Sequence, residues 1–249
     1  MALLMTVVVG LFILIGAAIV FLNKKTDNII QFSISMAFGV IVALVGLELF
    51  PESYEILNEN FENLGIILLV GFILLGIVIL KLLDLFIPDH EIEDNTEESK
   101  TENLYHIGIM SSVALILHNI IEGMAIYSTA SSSTELGILI TIGVGLHNIP
   151  MGLIVTSTLY DWSKNKKKTL LILLVIALST FLGGLIMHFL SSIITELLLG
   201  VLLAITMGML IYISFFELLP ELKNSKNKKV SILGIILGVL VFLISILFE

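Results

Sequence analysis

Leu117-His118-Asn119-Ile120-Ile121-Glu122-Gly123 and Leu146-His147-Asn148-Ile149-Pro150-Met151-Gly152 share the pattern His-Asn-Ile-x-x-Gly, and each lies inside a long apolar run. Residues four apart on a helix stand one turn from each other on the same face, so His118 and Glu122 form one column and His147 and Met151 another. Imidazole, amide and carboxylate are expensive in hydrocarbon, and a repeated polar motif there calls for a compensating partner. A metal ion is the simplest one. Two neutral imidazoles and the Glu122 carboxylate, with Asn119 and Asn148 able to offer carbonyl oxygens, suit Zn²⁺ and equally Fe²⁺, Mn²⁺ or Co²⁺. An all-oxygen Ca²⁺ or Mg²⁺ shell fits this donor set less well.

The composition around these motifs is that of a membrane protein. Of 249 residues, 57% are hydrophobic and 13% charged, and the mean hydropathy is +1.11, far from soluble usage. The twelve basic residues are all Lys and the net charge is −9, which together argue against nucleic acid as a partner. Without cysteine, disulfides and thiolate zinc sites are excluded and the redox compartment stays open. The apolar stretch from Met1 to Leu22 lacks a basic leader and a small-residue cleavage site, and reads as a retained span.

Working outward, apolar runs long enough for a bilayer of about 30 Å fall at 2–22, 30–50, 64–87, 106–130, 136–159, 169–190, 196–219 and 230–248. None alternates as a barrel strand would. The expected fold is an all-α integral membrane protein of eight transmembrane helices, a single domain over residues 1–249. Lys24 and Lys25, Lys81, Lys100, Lys164 and Lys166 to Lys168, and Lys223, Lys226, Lys228 and Lys229 then all fall on one side. The positive-inside rule makes that side cytoplasmic and both termini extracytoplasmic. The acidic segment 88–105, from Pro88 to Tyr105, reads as a solvated cytoplasmic loop, with weak cation collection as its alternative.

A second repeat joins distant parts of the chain. Glu48-Leu49-Phe50-Pro51-Glu52 closes the second span and Glu217-Leu218-Leu219-Pro220-Glu221 closes the seventh. Five crossings apart, they point to opposite faces, as do the two His-Asn motifs on adjacent antiparallel spans. The pattern suggests a 3+2+3 inverted repeat. His118 and His147 then lie at similar depth, and the missing N–H of Pro150 leaves the Leu146 carbonyl without its donor, predicting a kink beside His147. Glu48, Glu52, Glu217 and Glu221 read as entrance and exit carboxylates, or as plain water-facing helix ends. His188 reads as an interhelical hydrogen-bonding group, and the scattered methionines as packing.

These residues bring a known family into view. Over essentially its whole length the chain resembles the ZIP (Zrt/Irt-like) divalent metal transporters of prokaryotic type. The resemblance rests on His118-Asn119-x-x-Glu122-Gly123, on His147-Asn148-Ile149-Pro150-x-Gly152, and on Gly208-Met209-Leu210-x-Tyr212 leading to Glu217-Leu218-Leu219-Pro220-Glu221. It implies a transport site between spans four and five, commonly with two metals. It also implies movement of spans one, four, five and six against two, three, seven and eight, and a homodimer. Two departures stand out. Met151 occupies the place of a Glu that bridges both metals in the family, and Gly183 and Gly184 stand near a Glu that many bacterial members carry in span six. One metal is therefore expected instead of two, with Met151 either a soft thioether ligand, tolerant of Cd²⁺, or no ligand at all.

The expected function is import of Zn²⁺ or a similar divalent ion into the cytoplasm across a prokaryotic cell membrane. Only neutral imidazole binds metal, so uptake is expected to fall as the medium acidifies through the imidazole range. An intramembrane metal-dependent hydrolase and a non-transporting metal sensor of the same fold are the rival readings. The hydrolase lacks a His-Glu-x-x-His pair and a third His at the right depth.

Overall fold

In hydrocarbon a peptide group finds no water, and an apolar run satisfies its backbone by bonding along itself as a helix. The computed structural model describes residues 1–23, 27–86 and 97–248, with the backbone alone for 97–100. Among the described residues there is no strand. The helices are α1 (Ala2–Leu22), α2 (Asp27–Leu44), α3 (Phe50–Phe61), α4 (Gly65–Asp84), α5 (Glu97–Ser132), α6 (Thr134–Ser163), α7 (Lys166–Leu190), α8 (Glu196–Tyr212), α9 (Leu219–Lys223) and α10 (Lys228–Ser245). Among the described residues, seven helical stretches are long and apolar enough to cross a membrane.

One of those seven is the 58-residue run Asp27–Asp84, which carries both of the apolar runs read at 30–50 and 64–87. It is not one straight rod. Glu62 adopts φ 48°, a conformation uncommon for a residue with a side chain. Beyond it α4 packs against α3. A Cβ on Gly65 would lie 2.7 Å from the Asn58 Cα, so only glycine lets the new helix start this close to the old one.

Two turns of wider π-helix interrupt the long rods, at Val45–Leu49 between α2 and α3 and at Ile213–Leu218 between α8 and α9. Each ends just ahead of a proline. The ring of Pro51 would meet the Leu47 carbonyl and that of Pro220 the Phe216 carbonyl, and one extra residue per turn relieves the clash. Glu48 and Glu217 ride on these turns. Pro150, by contrast, sits within an unbroken α6.

The acidic segment differs from the loop expected. α5 begins at Glu97, so residues 97–105 are helical. Good helix formers in this stretch let the membrane helix begin early. The rest of that segment, with Pro88 and His90, lies outside the described residues, as do Lys24 and Lys25.

Close glycine contacts fix which helices pair. A Cβ on Gly123 of α5 would collide with the Thr180 carbonyl of α7, and one on Gly183 of α7 with the Ile120 carbonyl of α5. Gly16 and Gly152 do the same between α1 and α6, Gly39 and Gly238 between α2 and α10, and Gly76 and Gly208 between α4 and α8. Small residues let backbones approach, which is how helices gain packing energy where lipid is as apolar as leucine. The result is one tight group, α1 with α5, α6 and α7, set against the pairs α2–α10 and α4–α8. α6 lies at the centre, also touching α2 and α10.

Candidate metal centre

α5 and α6 bring the two His-Asn motifs face to face. His118, Glu122 and His147 are 3%, 8% and 0% exposed. The Glu122 Oε1 lies 3.3 Å from His118 Nε2 and 3.0 Å from His147 Nε2. All three ligand atoms fall within 4.8 Å of one another. Ligands held about 2.0–2.1 Å from a tetrahedral zinc stand roughly 3.3 Å apart, so these spacings match an ion's first shell with little movement. The two imidazole rings are 6.4 Å apart, centre to centre, and Phe242 of α10 packs 5.9 Å from the His147 ring.

The amides flank this triad. Asn119 and Asn148 are both 0% exposed. The Asn119 Nδ2 donates to the Ile176 carbonyl of α7 at 3.2 Å, which leaves its Oδ1 without a hydrogen-bond partner among the described residues. Neither polar atom of Asn148 has one there either. Buried amides are nearly always satisfied, so unpaired oxygens beside two imidazoles and a carboxylate mark a place for a cation. Met151, 1% exposed, lies one turn past His147.

The Glu positions separate. Glu48 and Glu52 join neither the triad nor any other cluster of metal-binding groups among the described residues. Glu217 does join one. His106 Nε2 lies 2.8 Å from Asp84 Oδ1 and 3.6 Å from Glu217 Oε2, and the Tyr212 hydroxyl donates to Asp84 Oδ2 at 2.8 Å. Glu221, one turn on, accepts from Asn103 Nδ2 at 2.9 Å. Sequence reasoning missed Asp84 and gave His106 no role. Both left a trace: Asp84 is an acid closing an apolar helix, and His106 begins a column of five residues spaced four apart, His106, Met110, Ala114, His118 and Glu122. His188 accepts or donates across to the Tyr127 hydroxyl at 2.6 Å, joining α7 to α5, as expected of an interhelical bond.

The comparisons with known proteins point one way. The ZIP zinc transporter family model matches residues 88–246. A zinc transporter ZupT of Streptococcus mutans is 30% identical over 254 residues, covering 99% of this chain and 96% of that one. A zinc transporter ZupT of Chlorobium luteolum is 31% identical, with 99% and 97% covered. For the zinc transporter ZupT of Akkermansia muciniphila the figures are 31%, 97% and 94%.

Proposed function

The chain belongs to the ZIP zinc transporter family, and from that premise we propose that it carries Zn²⁺, or a similar divalent transition-metal ion, through the membrane into the cytoplasm. The observation that bears most weight is the sharing of the Glu122 carboxylate by two imidazoles from different helices, at 3.0 and 3.3 Å. His118, Glu122 and His147 hold the ion, with the Asn148 and Asn119 carbonyls as further donors. Asp84, His106 and Glu217 receive it on the lysine-rich side, and Glu221 continues the route. Glu48 and Glu52 gather cations at the opposite mouth.

The protein is a multi-pass membrane protein, and we read it as eight crossings with both termini extracytoplasmic, in a prokaryotic cell membrane and as a homodimer. The break at Glu62 supports the eighth crossing. The 3+2+3 repeat draws support from exchange of pairs: α1–α6 has its counterpart in α7–α5, and α2–α10 in α8–α4. Matching π turns over Glu48 and Glu217 strengthen it.

One metal is favoured over two. At the place of the family's bridging Glu stands Met151, and near the span-six acid Gly183 abuts the Ile120 carbonyl, leaving no room for a side chain. A hydrolase reading gains nothing from the geometry, since Glu122, the one carboxylate buried among the described residues, is already engaged by both imidazoles. Purified protein in proteoliposomes is expected to take up zinc, and His118→Ala to abolish it. Equal uptake by the two proteins, or lipid or peptide turnover without flux, overturns the reading.

A further inference from the structure

On α5, His118 of the buried triad and His106 of the inner cluster are twelve residues apart, a rise of roughly 18 Å. Between them, residues 107–117 of α5 carry no charge. Met110 and Ala114, which fill the same column, are 0% and 1% exposed. Beside them lies a small cavity whose walls come from four helical rods: Ile41 of α2, Leu115 of α5, Met151 and Ile154 of α6, Leu210 of α8 and Ile213 of the following π turn. Ser111 supplies its single hydroxyl, buried and without a partner among the described residues.

We propose that Ile41, Leu115, Met151, Leu210 and Ile213 form an apolar plug that gates the pathway between the buried triad and the inner cluster. The inference rests on the transport reading above. An ion leaving two imidazoles and a carboxylate would lose its ligands among hydrocarbon side chains before it could regain water, and apolar constrictions stop ions for that reason. The plug also straddles a seam. Leu115 and Met151 belong to the group α1, α5, α6 and α7, whereas Ile41, Leu210 and Ile213 belong to rods packed on α10 and α4. Separation of the two groups by a few ångströms opens the plug without disturbing the triad, whose ligands all sit on α5 and α6. Met151 is central to this design. One turn below His147, a thioether keeps the seam apolar where a carboxylate would bring water into it.

The chain contains no cysteine, so Ser111→Cys introduces the sole thiol. A membrane-impermeant methanethiosulfonate reagent, applied from the lysine-rich side to the full chain in vesicles, is expected to modify it at least about tenfold more slowly than a Lys167→Cys control, because access limits thiol reactivity. Adding Ile213→Ser with Leu210→Ala should bring the two rates within about twofold. Zinc binding by calorimetry, preserved in that variant, shows that it folds, and Met151→Ala gives a second route to the same opening. Fast labelling of Ser111→Cys alone, or continued protection after both sets of substitutions, overturns the plug. Labelling requires neither zinc nor flux, so a protein that shows the gated pattern yet takes up no zinc refutes transport and leaves the plug standing.

Discussion

The two acid-histidine clusters use the same side chains in opposite proportions. The buried one has two imidazoles and one carboxylate, nearly sealed from solvent; the inner one has one imidazole and two carboxylates, with side chains of His106, Asp84 and Glu217 13%, 18% and 10% exposed. A nitrogen-rich set selects transition metals, and its single negative charge leaves a bound dication only partly neutralised. An oxygen-rich set beside water neutralises the ion fully and discriminates less. On the proposed reading, choice belongs at the centre and release at the inner end, and the difference can be tested from either side.

The largest effect is expected from Glu122→Gln. It removes the only charge of the buried triad and leaves both imidazoles with a neutral amide, so zinc uptake should fall by at least about 100-fold. Calorimetry on the purified variant should show the loss in binding itself. Uptake within about threefold of the unaltered protein would place the selecting site elsewhere.

Next comes the scaffold on which that triad depends. Gly183→Leu forces a branched side chain into the Ile120 carbonyl and should destabilise the protein by about 1–3 kcal/mol, read as a lower melting temperature in detergent. Because Ile120 lies between His118 and Glu122, zinc affinity should drop with it. Gly71, exposed and with nothing within 4 Å of an added Cβ, is the control, and Gly71→Leu should change neither quantity. The inner cluster needs no such contact, so metal competition at His106 should be insensitive to both.

This contrast explains what could be read from the sequence. His118 and Glu122 sit four apart on one helix, so their column follows from counting, and the matching motif at His147 points to the partner helix. Asp84, His106 and Glu217 come from three separate elements, and no local spacing joins them; only packing does. The π turns were hidden too, because Pro51 and Pro220 announce a disturbed helix without saying whether it breaks, kinks or widens. Pro150 has the same chemistry within an uninterrupted α6. The start of α5 at Glu97 was masked by acidity, which reads as solvated loop although acids also suit a helix N-terminus. The apolar runs themselves gave the all-helical class directly, since a backbone in lipid must close on itself as helix or barrel and none of the runs alternates as a barrel strand would.

A smaller effect is expected at the inner cluster. His106→Ala should slow uptake by about threefold while the zinc affinity measured on the whole protein stays within about twofold, because the buried triad is intact. Preference among Zn²⁺, Mn²⁺ and Cd²⁺ should also be unchanged. A shift in preference would move part of the selection inward and erase the distinction between the clusters.

The smallest effect concerns the turn that aims Glu217. Pro220→Ala removes the ring that faces the Phe216 carbonyl, which lets Ile213–Leu218 wind as ordinary α-helix. Removing one residue's worth of extra backbone rotates Glu217 by about 100° relative to Tyr212, taking its carboxylate away from His106 while the Tyr212–Asp84 bond holds. The present separation of 3.6 Å is already long for a hydrogen bond, so uptake should fall by only about twofold. A double-mutant comparison sharpens this small number. If Pro220→Ala acts by turning Glu217 away, then Glu217→Gln should cost much less in that background than it costs alone, and the two effects should be clearly less than additive. Full additivity would mean that the π turn and the carboxylate serve separate purposes, and the inner cluster would reduce to Asp84 and His106.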